Sequence, residues 1–166
     1  APGTYLSKEE YDEILSEIIF VRAKKRALHL LERMDRTEAG LRDKLKQNEY
    51  PAEAIDEAVS YVKKYHYLDD ARYAAAYVRS YQNTRSKRRI MADLLSKGIS
   101  KANASRALEC EYEADECEKI GKLLAKKGYD ENMRQEERRR VYAFLMRRGF
   151  KSEDILKAMK CSDYLT

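Results

Sequence analysis

Apolar residues along this chain fall into a register that recurs. Leu41, Leu45, Tyr50, Ile55, Ala58 and Val59 form its first instance. The same spacing, read without a gap, gives Ile90, Leu94, Ile99, Ala104, Ala107 and Leu108, and then Val141, Leu145, Phe150, Ile155, Ala158 and Met159. Three matches in one frame argue for an internal repeat of roughly fifty residues, the mark of an array of small units. The first two positions of each instance lie one helical turn apart, so they give that helix an apolar stripe.

The residues just after the stripe predict a turn and a second helix. The second and third copies place Gly98 and Gly149 there, each preceded by a base, Lys97 or Arg148. Glycine accepts the left-handed cap conformation and the base suits the negative end of the helix dipole. Ser100 and Ser152 then offer N-cap oxygens for the next helix, a part that Pro51 fills in the first copy as a first-turn residue. The first copy has Asn48-Glu49 in place of the glycine. Its turn is therefore expected to be the least regular of the three.

Each helix pair has a lead-in helix: Ala27-Leu28-Leu31, Tyr73-Tyr77-Val78, and Ile120-Leu123-Leu124. The last lead-in is the longest and holds Gly128-Tyr129-Asp130-Glu131-Asn132, a loop by composition. An additional amino-terminal helix starts near Ser7, carries Tyr11, Ile14, Leu15, Ile18 and Ile19, and runs toward the first lead-in through Lys24-Lys25-Arg26. The predicted fold is all-α: three tandem three-helix repeats plus that helix, elongated and curved. The predicted limits are 1–26 for the amino-terminal extension, 27–70, 71–115 and 116–166 for the repeats. Units this small bury little alone and lean on their neighbours.

Composition agrees with helices and narrows the chemistry. Only 6 Gly and 2 Pro interrupt 166 residues, which excludes a turn-rich β fold, and 38% charge asks for broad solvated faces. Thirty-four basic against 29 acidic residues leave a net charge of +5, so clustering matters more than the total. Three cysteines, Cys110, Cys117 and Cys161, with no CxxC spacing, read as reduced thiols of a cytoplasmic protein. Cys110 and Cys117 are spaced to share a helix face, but His29 and His66 are the only histidines, and neither a metal nor a cofactor is expected. Ala1-Pro2-Gly3-Thr4 opens no basic leader or apolar run, so neither a signal peptide nor a membrane span is expected.

Catalytic patterns are missing from the sequence: no phosphate-cradling glycine loop, no GxSxG, no His beside a nucleophile. His29 among leucines and His66 between tyrosines read as packed side chains. Asp69-Asp70 reads as a helix start, because neighbours on a helix diverge by about 100° and do not converge on one ion. On that reading Asp69 is the N-cap, Asp70 sits at the positive dipole end, and Arg72 is available to a carboxylate. Tyr61 and Tyr65 on one helix, and Tyr73, Tyr77 and Tyr81 on the next, read mainly as two helices packing on each other. Tyr81 is the one most open to a base.

Candidate binding residues are basic. Lys24, Lys25 and Arg26 form one run, and Arg138 to Arg140 a second that Glu136-Glu137 offsets; Arg147-Arg148 is a third. Arg85-Ser86-Lys87-Arg88-Arg89 stands apart, because no acid lies between Arg72 and Asp93. Lys24, Lys25, Arg26, Arg79, Tyr81, Arg85, Lys87, Arg88, Arg89, Arg147 and Arg148 are thus the candidate contacts for phosphate or an acidic protein surface.

Several motifs carry a resemblance. Tyr67-Leu68-Asp69-Asp70-Ala71-Arg72-Tyr73-Ala74 resembles the Y-L-D-D-x-R-F-A motif of the RecX family, and Arg36-Thr37-Glu38-Ala39-Gly40-Leu41 its R-S-x-x-E-L, with Gly40 for Glu. Arg89-Ile90, Asp93-Leu94 and Lys97-Gly98-Ile99 are similar to R-I-x-x-E-L-x-x-K-G-I, and Phe144 to Phe150 to F-L-x-R-R-G-F. Ser86 stands where a glycine is frequent. The resemblance spans Ala27 to Met159. It implies a monomeric, non-enzymatic regulator whose partner is the RecA protein filament, with single- or double-stranded DNA as a further contact. It also implies that repeats lying in the filament groove restrain ATP hydrolysis and strand exchange during DNA repair and recombination, in the setting of the SOS response. The alternative is a helical-repeat nucleic-acid binder that acts without RecA; a third reading is a protein scaffold with no nucleic-acid role.

Overall fold

The computed structural model describes residues 3, 5–113, 115–130 and 132–160. Cys161, Ala1, Pro2, Thr4 and Glu131 lie outside the described residues. Among the described residues the chain is helical, with no strand: α1 (Lys8–Arg33), α2 (Glu38–Gln47), α3 (Ala52–Lys64), α4 (Asp70–Tyr81), α5 (Lys87–Ser96), α6 (Lys101–Glu111), α7 (Glu116–Lys126), α8 (Gln135–Arg147) and α9 (Ser152–Lys160). The additional amino-terminal helix and the first lead-in are one continuous helix, α1.

Local chemistry sets where these helices start. Ser7 and Glu10 close a capping box on α1, with Glu10 N–H donating to Ser7 Oγ at 3.1 Å and Ser7 N–H to Glu10 Oε2 at 2.8 Å. Thr37, Ser86 and Ser100 accept from the third residue of α2, α5 and α6 through their hydroxyls at 3.1, 3.0 and 3.2 Å. Asp69 Oδ1 accepts from the N–H groups of Ala71 and Arg72, and Asp115 caps α7. Ser152 departs from expectation: it is the first residue of α9, and the carbonyl before it, on Lys151, accepts from Ile155.

The repeated register is the core. Leu41, Leu45, Ile90, Leu94, Leu145, Phe150 and Ile155 are fully or nearly fully buried, as are Ala58, Val59, Ala104 and Leu108; Tyr50 and Ala158 are half-buried. Each large side chain removed from water contributes about 1.5–3 kcal/mol, so this stripe supplies most of the drive to fold.

Two compact units emerge. The first runs to Tyr73 and takes in Lys97–Ile99; its core joins α1, α2 and α3 through Ala23, Ala27, Leu30, Leu41, Ile55, Val59, Val62 and Leu68. The second comprises Ala74–Ser96 and the chain from Ser100 onward. There α7, α8 and α9 close over Ile120, Leu123, Leu124, Val141, Leu145, Phe150, Ile155 and Met159.

Inclusion of Lys97–Ile99 in the first unit exposes a joint between copies. The Thr37 hydroxyl, besides capping α2, donates to the carbonyl of Lys97 at 2.9 Å. Gly98, at φ +81°, lies so close that a Cβ there would meet the Ala39 Cβ at 2.4 Å. One register further on the same joint recurs inside the second unit. Ser86 N–H donates to the carbonyl of Arg148 at 3.0 Å, and a Cβ on Gly149 (φ +87°) would stand 2.6 Å from Ser86 Oγ and 2.5 Å from Arg89 Cβ. The helix start of one copy thus docks on the helix–helix turn of the next, where only glycine leaves room.

The first copy's turn corrects the expectation of irregularity. Glu49 adopts φ +62°, and Glu49 and Tyr50 N–H bond the carbonyls of Lys46 and Leu45 at 2.9 and 3.3 Å. Gly149 and Phe150 do the same with Met146 and Leu145, at 2.9 and 3.4 Å. The turn is the same. Glu49 is exposed, so its side chain has room, whereas Gly98 and Gly149 each receive a neighbouring helix start.

Candidate functional site

The centre of the candidate surface is the segment where α4 ends and α5 begins. Asp93, in the second half of α5 and only 14% exposed in its side chain, gathers two bases of the run: Arg85 Nη1 at 2.7 Å and Arg89 Nε at 3.0 Å. Arg85 also donates to the Tyr77 hydroxyl at 2.7 Å and lies over the Tyr81 ring at 3.9 Å from its centroid. Burial first, and the Asp93 charge next, push the Tyr77 hydroxyl above its ordinary pKa, so it stays a neutral donor and acceptor in this network. The acid that lies beyond the run in sequence folds back onto it, since residues four apart share a helix face.

The remaining predicted contacts divide into engaged and open groups. Arg79 pairs with Glu111 at 2.8 Å, and Arg88 reaches the carbonyl of Gly149 at 3.3 Å. Lys24 pairs with Glu57 at 3.0 Å, and Arg26 donates to Asn48 Oδ1 at 2.9 Å. Arg148 lies over the Phe144 ring at 5.1 Å while its carbonyl serves the joint. Lys25, Lys87 and Arg147 are exposed. Tyr81 is half-buried with one ring face under Arg85 and Tyr77 4.5 Å away, so it is already stacked within the protein.

The structure corrects several expectations. Tyrosines four apart stack along one helix, Tyr61 with Tyr65 at 4.8 Å and Tyr77 with Tyr81, a contact within each helix that the sequence reading did not name. His29 is half-buried and His66 exposed; His66 occupies a left-handed position (φ +58°) just past α3, where its backbone rather than its ring is used. Among the described residues Arg72 pairs with no carboxylate; its guanidinium donates to the carbonyls of His66 and Tyr67 at 2.9 and 3.2 Å and fastens that turn. Cys110 and Cys117 are free and exposed on different helices, α6 and α7.

Asp70 holds an unforeseen role. Its Oδ1 accepts from the N–H of Glu38 at 2.8 Å, so the adjacent aspartates start two different helices, α4 and α2. Burial raises the Asp70 pKa, opposed by that backbone bond. Glu38 in turn is held below the ordinary carboxyl range, mainly by its hydrogen bond from Lys63. No spacing rule signals a cap supplied from about thirty residues away; only the fold does.

A second network lies below the basic run. Glu116 Oε1 accepts from Lys87 N–H at 2.7 Å and from the Tyr112 hydroxyl at 3.3 Å. Lys119, 2% exposed, places Nζ 3.4 Å over the Tyr112 ring, and that nitrogen has no hydrogen-bond partner among the described residues. Burial lowers its pKa to about 8, with Glu116 opposing. Among the described residues no cluster of His, Cys, Asp and Glu is arranged to hold a metal ion, and no helix is long and apolar enough to cross a membrane.

Three three-helix units in one register, jointed by helix starts on glycine turns, define a helical-repeat protein. Three family models match in order: RecX first three-helix domain over residues 23–61, second over 69–108 and third over 114–159. The chain belongs to the RecX family of regulatory proteins. Regulatory protein RecX of Caldanaerobacter subterraneus subsp. tengcongensis is 35% identical over 159 residues, covering 95% of this chain and 79% of that protein. That of Clostridium acetobutylicum is 27% identical over 165 residues, covering 95% and 77%. A crystal structure of regulatory protein RecX superposes with TM-score 0.72 at 28% identity over 92% of this chain and 77% of that one. RecX from Lactobacillus salivarius shares the fold, with TM-score 0.66 at 23% identity over 89% and 98% of the two chains.

Proposed function

We propose that this protein binds the RecA–DNA filament and restrains its ATP hydrolysis and strand exchange. The observation that carries the reading is the ordered match of all three RecX domain models across one uninterrupted register. Tandem repeats offer a succession of neighbouring surfaces rather than one deep pocket, and such a succession suits a filament. The partner contacts are assigned to the open bases Lys25, Lys87 and Arg147, with Arg79, Arg85, Arg88 and Arg89 as groups that exchange an internal partner for an external one.

Each of Arg79, Arg85 and Arg89 already holds a carboxylate, and giving that up for a phosphate exchanges one ion pair for another. The nucleic-acid-only alternative requires DNA binding with a steep salt slope, each phosphate contact adding about one to it. The deciding experiment is ATP hydrolysis by RecA on single-stranded DNA, titrated with this protein. Hydrolysis that stays unchanged while the protein binds DNA alone favours the alternative.

A further inference from the structure

The third repeat carries a groove at the place where the first repeat holds an ion-pair bridge. Between α8 and α9, Tyr142, Leu156 and Met159 form the floor of a groove of about 310 Å³, and Arg138, Arg139 and Lys160 stand at its edge. Register identifies the same place in the first repeat. There Arg42 occupies the position of Tyr142, Asp56 that of Leu156 and Glu38 that of Arg138. Arg42 bridges α2 and α3 by bonding Asp56 at 2.6 Å and Glu38 at 3.1 Å, with Lys63 on Glu38 at 2.8 Å. An internal ion-pair network thus bridges the two helices at that place in the first repeat. In the second repeat the two positions hold Met91 and Ser105.

Repeat three inverts this arrangement. The bridging pair has become tyrosine and leucine, and the acid at the helix start has become arginine. Leu156 is left 42% exposed, with Tyr142 half-buried beside it. Among the described residues no carboxylate lines the groove. Arg139 and Lys160 are exposed at its edge, and Arg138 lies 6.0 Å from the Tyr129 ring. An apolar floor with a cationic edge and no acid in its lining is complementary to an acidic chain that also carries a large apolar side chain.

We infer that this groove is a docking site for an acidic, leucine- or phenylalanine-bearing segment of a protein partner. The apolar side chain seats on Tyr142, Leu156 and Met159, and flanking carboxylates meet Arg139 and Lys160. The site stands on the third repeat's own residues and holds whether or not the partner is RecA.

The probe is a fluorescein-labelled eight-residue peptide alternating leucine with aspartate, followed by anisotropy on the full chain. Two comparison peptides replace leucine by glycine or aspartate by lysine. The intact protein is expected to bind the leucine–aspartate peptide at least about tenfold more tightly than either. The double variant Tyr142→Arg with Leu156→Asp, which imports the bridge of the first repeat, is expected to weaken binding by about tenfold or more. Arg139→Glu, an exposed single change that leaves the core alone, should weaken it severalfold. Equal affinity for the glycine–aspartate peptide, or no loss in Arg139→Glu, overturns the assignment. Two further results do so as well. One is self-association in sedimentation that disappears in the double variant, which gives the groove to a second copy. The other is displacement of the peptide by a single-stranded oligonucleotide whose own binding needs Leu156.

Discussion

At the scale of single residues, backbone conformation and space decide more than side-chain chemistry does. Glu49 holds a left-handed φ of +62° that glycine would adopt freely, at a cost of about 1 kcal/mol. Glu49→Gly is therefore expected to raise stability by about 0.5–1 kcal/mol, read as a higher denaturant midpoint at unchanged slope. Gly149→Ala is the opposite case: its φ is +87°, and the new methyl group would lie 2.5 Å from Arg89 Cβ. A loss of more than about 2 kcal/mol is expected from strain and displacement together. These glycines were legible as helix caps, because a base and then glycine after an apolar stripe is a capping pattern. Their second task was not, since the neighbour that crowds them lies roughly sixty residues away in the chain.

Lys119 gives a pH prediction with a definite sign. Its ammonium is buried without a hydrogen bond among the described residues, so the folded pKa, about 8, lies below the ordinary 10.5. Below about pH 8 both states hold the proton and the folded state bears the full cost of the buried charge. Between 8 and 10.5 the unfolded state binds more protons, so this group makes stability rise with pH. Lys119→Met is expected to flatten that rise while stabilising the protein near neutrality, as followed by denaturant midpoints from about pH 7 to about pH 10. Nothing in the sequence marked this lysine, which sits at an ordinary helical spacing between Asp115 and Leu123.

At the scale of elements, Asp93 and Asp70 are the organisers. Asp93 holds Arg85 and Arg89 and so fixes how α5 presents the basic run. Asp93→Ala is expected to cost about 1–3 kcal/mol and to free both arginines, which strengthens salt-dependent binding to DNA while lowering the melting temperature. Asp70→Ala removes a bond at the start of α2 and is expected to cost about 0.5–2 kcal/mol. Helix starts, stripes and the repeat itself were readable, because they depend on residues within one or two turns. Pairings that reach across helices were not. The run from Arg85 to Arg89 looked unneutralised because Asp93 lies outside it in sequence, although one turn suffices to bring it back.

For the molecule as a whole, the register of six apolar positions carried the fold, and the ordered motifs carried the family. The candidate surface was legible as a set of bases, but their division into engaged and open groups came only from geometry. Lys25, Lys87 and Arg147 are exposed. Changing the three to glutamate is expected to leave stability within about 0.5 kcal/mol per site and to weaken filament binding. Action on RecA is tested most directly by the rate of RecA ATP hydrolysis on single-stranded DNA as the protein is added. A progressive fall at fewer copies of this protein than of RecA, relieved by the triple charge reversal, is the predicted result. A rate that stays flat across the titration, with the protein folded throughout, contradicts it.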